Sequence, residues 1–99
     1  MRVKWLRIAL KNLDAEAEYI SHDNPQAAAR MVVAVVDAVD RLADFPAMGR
    51  PGRVGGTREL VVPGTPYIIP YRVRKEKIEV LRVFHAARKW PKRFPADSP

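Results

Sequence analysis

The stretch that decides the fold is TRELVVPGTPYIIPYRVRKEKIEVLRVFH, residues 57–85. Three runs rich in β-branched and aromatic residues, 57–62, 67–73 and 78–85, are divided by two short turns. Pro63-Gly64-Thr65 makes one turn and Arg74-Lys75-Glu76-Lys77 the other. Such runs fit a pleated, half-buried surface, and Gly, Pro and charged clusters punctuate them. Connections this short predict an antiparallel meander. Pro70 cannot donate to a ladder, which predicts an edge or a bulge within the second strand. Period two sorts the third strand into two faces: Ile78, Val80, Arg82 and Phe84 on one, Glu79, Leu81, Val83 and His85 on the other. Leu81 and Val83 suit a core, which leaves Arg82 on the open face.

Upstream, residues 2–6 (RVKWL) read as a first strand. From about Arg7 the pattern becomes helical. Leu6, Leu10, Leu13, Ala17 and Ile20 recur at helical steps, with Asp14, Glu16 and Glu18 largely off that stripe. Ser21-His22-Asp23-Asn24-Pro25 breaks the helix and restarts it. Asn24 has a side-chain oxygen suited to an N-cap, and Pro25 falls at the first helical position, where a missing N–H costs nothing. The second helix carries Val32, Val35, Val36, Val39 and Leu42 as its stripe. Ala27, Ala28 and Ala34 permit close approach. Phe45-Pro46 is expected to end it, because the residue before proline avoids the α region. Two helices joined so tightly form an antiparallel hairpin. The order is β-α-α-β-β-β. It predicts an α+β fold, with a helix hairpin packed on one face of a small, mainly antiparallel sheet. Residues 1–99 make one domain, with 90–99 a basic C-terminal tail.

Composition narrows the function. Ninety-nine residues with 47% hydrophobic and 29% charged content allow one globular domain and a modest core. No apolar run reaches the roughly 20 residues that span a bilayer, so no membrane partner is expected. The start, MRVKWLRIALKN, lacks the h-region and cleavage site of a signal peptide. The absence of cysteine excludes disulfides and thiolate–metal sites and fits a cytoplasmic setting. Charge is uneven: residues 1–49 hold 6 Lys/Arg against 7 Asp/Glu, and residues 50–99 hold 12 against 4. A basic back half suits nucleic acid or an acidic protein partner, and also plain solubility.

Few side chains offer chemistry. The loop PAMGRPGRVGG, residues 46–56, holds four of the five glycines together with Arg50 and Arg53. It matches neither GxxxxGK[ST] nor GxGxxG, so a flexible connection is the simpler reading beside a phosphate cradle. Two distant histidines and scattered carboxylates lack metal-site spacing, and no cofactor is expected. Ser21 and Ser98 lie in a turn and at a terminus, away from any hydrolase arrangement. What remains is arginine, lysine and histidine chemistry on phosphates, or binding alone. Arg82 is either a functional surface residue or half of an ion pair with Glu59 or Glu79. His85 is either a general acid–base or a histidine hydrogen-bonded at a strand end. Trp90 and Phe94, among Lys89, Lys92 and Arg93, either stack on bases or anchor the tail.

The ordered set FPAMGRPG, GTRELV, PYIIPYRV and VLRVFHAARKWP resembles the RelE/ParE toxin superfamily. IALKNLDAEAEYISHDNPQAAA fits its first helix and restart, so the resemblance covers nearly the whole chain. It implies a growth-inhibiting toxin of a type II toxin–antitoxin, plasmid-stabilisation module, neutralised by a small cognate antitoxin in a hetero-oligomer. RelE-like members cut mRNA in the ribosomal A site through the RNA 2′-hydroxyl. ParE-like members bind and inhibit DNA gyrase and are not nucleases. RelE-like ribonucleases resemble one another in an arginine early in the middle strand, as in YRLVYQV. Here Ile68 takes that place, and isoleucine cannot donate to a phosphate. Arg50, Arg53 and Arg58 match the preceding basic residues only in part. The run from Leu81 to Arg88 is similar to the VRxLHxxR of ParE. The resemblance therefore implies a gyrase-binding toxin, with Arg58, Arg82, His85, Arg88 and Trp90 facing the target. The alternative is a ribosome-dependent endoribonuclease using Arg58, Arg82 and His85 on mRNA.

Overall fold

The computed structural model describes residues 1–87 and residue 94. Strand β1 (Arg2–Trp5) leads into helix α1 (Arg7–Ser21), a tight turn and helix α2 (Pro25–Asp40). A 3-10 turn (Arg41–Ala43) and a short strand β2 (Arg50–Pro51) follow. Then come β3 (Arg58–Val61), β4 (Tyr67–Arg74), β5 (Lys77–Val80) and β6 (Phe84–His85). The sheet order is β1-β5-β4-β3-β2, with β6 also on β4. Among the described residues, only β1 runs parallel to its neighbour, β5. This is the expected α+β arrangement. No helix among the described residues is long and apolar enough to cross a membrane.

The turn between the helices forms as its chemistry dictates. Asn24 is extended, and its Oδ1 accepts from the Ala27 N–H at 3.0 Å, with Pro25 next to it in the first turn. The apolar stripes are turned from expectation. On α1, Ala9 and Leu13 are buried, whereas Leu10 is 46% exposed. The small Ala9 takes the close contact, and Glu16, expected off the stripe, is buried. On α2, Val35, Val39 and Leu42 are buried as expected, together with Ala28, Met31 and Ala38. The α-helix ends at Asp40, five residues before Phe45.

Alternation along the strands divides the sheet. Leu60, Val62, Tyr67, Ile69, Tyr71, Ile78 and Val80 join Ala9, Leu13, Val35 and Val39 in one core beneath the helices. The other face is also covered. Val54, Ile68, Pro70 and Leu81 are buried away from that cluster, and Val54, Arg72 and Phe94 line one small pocket.

Pro70 is not at an edge, because β4 is flanked on both sides. A bulge does form beside Pro70, but its extra residue lies in the opposing segment and not in the second strand. Tyr71 pairs with Val80 and Ile68 with Phe84, so two residues of β4 oppose residues 81–83, which break the expected third strand of 78–85 into β5 and β6. The Pro70 carbonyl accepts from the Leu81 N–H at 2.9 Å. Its nitrogen therefore points the same way, into the bulge, where a missing donor breaks no regular ladder. The extra residue also ends the simple alternation of 78–85: Val83 joins the helix-side core with Ile78 and Val80, while Leu81 does not.

Candidate functional site

The 46–56 loop is held rather than flexible. Glu59, 2% exposed, accepts from Arg50 Nε and Nη2 and from the Arg53 backbone N–H and guanidinium. Burial pushes the Glu59 carboxyl up, but the donors from Arg53 and Arg50 outweigh it and leave it below its ordinary 4.5. Tyr71 closes the base of the loop: its hydroxyl donates to the Pro46 carbonyl at 2.7 Å and accepts from the Gly49 N–H at 2.9 Å. Burial pushes the Tyr71 phenol up. A Cβ at Gly49 would sit 2.6 Å from the Tyr71 ring, so only glycine fits. Arg50 and Arg53 thus both pair with Glu59, which ties the loop to β3 in place of the flexible connection expected of its glycines.

Arg82 does not lie on an open face, and it pairs with neither Glu59 nor Glu79. It is 9% exposed, donates to the Leu81 carbonyl at 2.6 Å, and sits 5.1 Å from the Phe94 ring centroid. Phe94 in turn stacks on Phe84 at 6.2 Å. No carboxylate lies within ion-pair reach of it among the described residues. Burial pulls its pKa below the usual arginine value. Phe94 therefore packs on the domain, the anchoring role expected of the tail aromatics. Arg88 and Trp90, and the 90–99 tail apart from Phe94, lie outside the described residues.

His85 ends β6 opposite Tyr67. Its ring meets the Tyr67 ring edge-on at 5.9 Å, and its Nδ1 accepts from the Ala87 N–H at 3.2 Å. His85 thus makes the hydrogen bond of a strand-end histidine. It also stands at the mouth of a groove of about 720 Å³ between the helix hairpin and the β3–β4 turn. Ile20, Ala27, Met31 and Ala34 supply apolar lining, with Tyr19 and Arg30 at the rim. In its floor, the Tyr67 hydroxyl donates to the buried Glu16 carboxylate at 3.0 Å. Sequence reasoning missed Glu16; its position three residues after Leu13 and four before Ile20 was the available signal.

Arg58 lies at the far end of the same face. It sits opposite Tyr71 and donates to the Gly49 carbonyl at 2.8 Å. Tyr67 and Tyr71 are four residues apart on β4, which separates His85 from Arg58 by about 13 Å along the sheet. Arg82 is on the other face, with Phe84. The three candidate catalytic residues therefore do not converge on one point. Ile68, in the place of the ribonuclease arginine, is 7% exposed and paired with Phe84.

Comparison with known proteins agrees with this architecture. The family described as ParE toxin of type II toxin-antitoxin system, parDE, matches residues 3–90. A Sinorhizobium fredii protein named "Putative toxin Y4kP" is 51% identical over 91% of this chain and 93% of its own. Toxin RelE2 of Caulobacter vibrioides is 38% identical over 88% of this chain and 97% of its own. A chain of the chromosomal ParDE TA system from P. aeruginosa superposes with a TM-score of 0.77 at 33% identity, covering 86% of this chain and 95% of that one. With a shared fold and matches over nearly its full length, this chain belongs to the ParE toxin family of type II toxin–antitoxin systems, within the RelE/ParE superfamily.

Proposed function

We propose that this toxin acts in the cytoplasm by binding DNA gyrase and blocking it, without cutting nucleic acid. The observation that carries this reading is the separation of Arg58, Arg82 and His85 over two faces of the sheet. A nuclease needs its proton-transfer group and its phosphate-stabilising cations within reach of one scissile bond. The buried Ile68 in the ribonuclease arginine's place supports the same conclusion. Arg58 and His85, with Arg88 and Trp90, face the target in this reading. Arg82, being buried, supports that surface from behind. A cognate antitoxin silences the toxin, and the groove along the helix hairpin suits a partner helix whose apolar face meets Ile20, Met31 and Ala34.

The test is a direct comparison. Purified toxin is incubated with gyrase and relaxed plasmid, and separately with programmed ribosomes. Supercoiling should stop while A-site mRNA stays intact. Normal supercoiling with cut mRNA would replace this reading with the ribosome-dependent endoribonuclease. His85→Gln separates the readings within the cell. A binding surface tolerates it with toxicity reduced at most several-fold. A general acid–base does not, and the loss would be on the order of 100-fold or more.

A further inference from the structure

The register of three strands builds a cationic surface that the toxin reading does not use. Arg2 on β1 lies opposite Lys77 on β5, and Lys77 lies opposite Arg74 on β4. Directly opposed residues share a face, so these three cations form one row across about 10 Å at the usual strand spacing. The next row is Lys4, Glu79 and Arg72. Its carboxylate is already engaged, by Arg72 at 2.6 Å and Arg74 at 3.5 Å. Hydrogen bonding to Arg72 holds the Glu79 carboxyl below its ordinary 4.5 against its burial, with Arg74 and Lys4 acting in the same direction. Lys4 and Arg74 therefore reach the same place from strands on either side of β5. Five cations face one carboxylate, and Arg2 and Lys77 have no ion-pair partner among the described residues.

Like charges placed directly opposite across strands oppose pairing. A row of three is a cost to the fold unless an anion meets it. We infer that this row and its neighbour bind the phosphate backbone of duplex DNA, without reading its sequence. The composition of the patch favours nucleic acid over an acidic protein. Its two rows contain no apolar side chain, whereas protein–protein interfaces bury a core depleted in charge and especially in lysine. Interfaces with nucleic acid are far more positive. Arg2, Lys4 and Arg74 are exposed and Lys77 half-buried, so the charge is within reach of a phosphate.

The experiment uses the full chain, a fluorescent 20-base-pair duplex and no gyrase, so its outcome is independent of the toxin's target. Anisotropy should show binding at 50 mM salt that weakens on the order of 100-fold by 200 mM, as expected for about four neutralised phosphates. Arg2→Gln with Lys77→Gln should lower the salt slope by about 2 and weaken binding at 50 mM salt. The double variant should keep or raise the melting temperature, because like-charge repulsion is relieved. Lys11→Gln, on α1, should change neither quantity. Three results would overturn the inference: no duplex binding at 50 mM salt, an unchanged slope in the double variant, or poly-glutamate competing as well as DNA.

Discussion

Arg82 shows how one residue can be placed correctly on a strand and wrongly in its environment. The run LRVFH puts it between apolar neighbours, and simple alternation puts it in the open. The bulge opposite Pro70 and the Phe94 ring bury it instead, with a carbonyl and an aromatic face as company. A guanidinium over a ring at such a site contributes about 0.5–2 kcal/mol, against the cost of desolvating the charge. The ring and the hydrogen bond to the Leu81 carbonyl together only offset that cost, so the stem should matter more to stability than the charge. Arg82→Met is expected to leave the urea midpoint within the equivalent of about 1 kcal/mol. Arg82→Ala, which also removes the stem, should lose about 2 kcal/mol. Equal losses in the two variants would show that the charge holds the second face together.

At the scale of elements, legibility followed periodicity and local chemistry. The helix restart was readable because Asn24-Pro25 encodes both a cap and a preset backbone angle within two residues. Asn24→Ala should accordingly cost about 1 kcal/mol in chemical denaturation, and Asn24→Ser should restore most of it. The strands of residues 57–85 were readable because their turns are short and polar. Phase was less readable than identity. Alanine and leucine compete for the inward stripe of α1, and contact distance to the sheet decides for Ala9 over Leu10. The proline of β4 announced a bulge, but an edge position fits the same residue type, and only the pairing on both sides separates them. The loop 46–56 looked flexible from its glycines. The contacts that hold it come from Glu59 and Tyr71, beyond the loop's own end. At the candidate site, His85 and Arg58 were legible as residues, but their separation required the register.

The whole molecule couples its charge asymmetry to the architecture of the sheet. The back half carries most of the excess arginine and lysine, and the sheet places two carboxylates, Glu59 and Glu79, among those cations. Both are held below their ordinary 4.5 by arginine donors that overcome their burial. Below that value, the unfolded chain binds protons at these sites that the folded chain still refuses. The unfolded state therefore takes up more protons, and stability rises with pH through that window. Both contributions are complete above 4.5 and are lost as pH falls through the two depressed folded values. Urea unfolding followed from pH 7 down to about pH 3 should show a plateau and then a decline beginning near 4.5. Glu59→Gln should begin lower, by about 2 kcal/mol at pH 7, because charge-assisted hydrogen bonds to Arg50 and Arg53 are lost, and the loss goes no further because these half-exposed arginines return to solvent. Its decline should also be shallower, since one of the two groups no longer titrates, and Glu79→Gln should flatten it in the same way. A wild-type stability that stayed constant to about pH 3 would leave the two clamps without a linked proton, and an unchanged decline in both variants would place the acid sensitivity elsewhere.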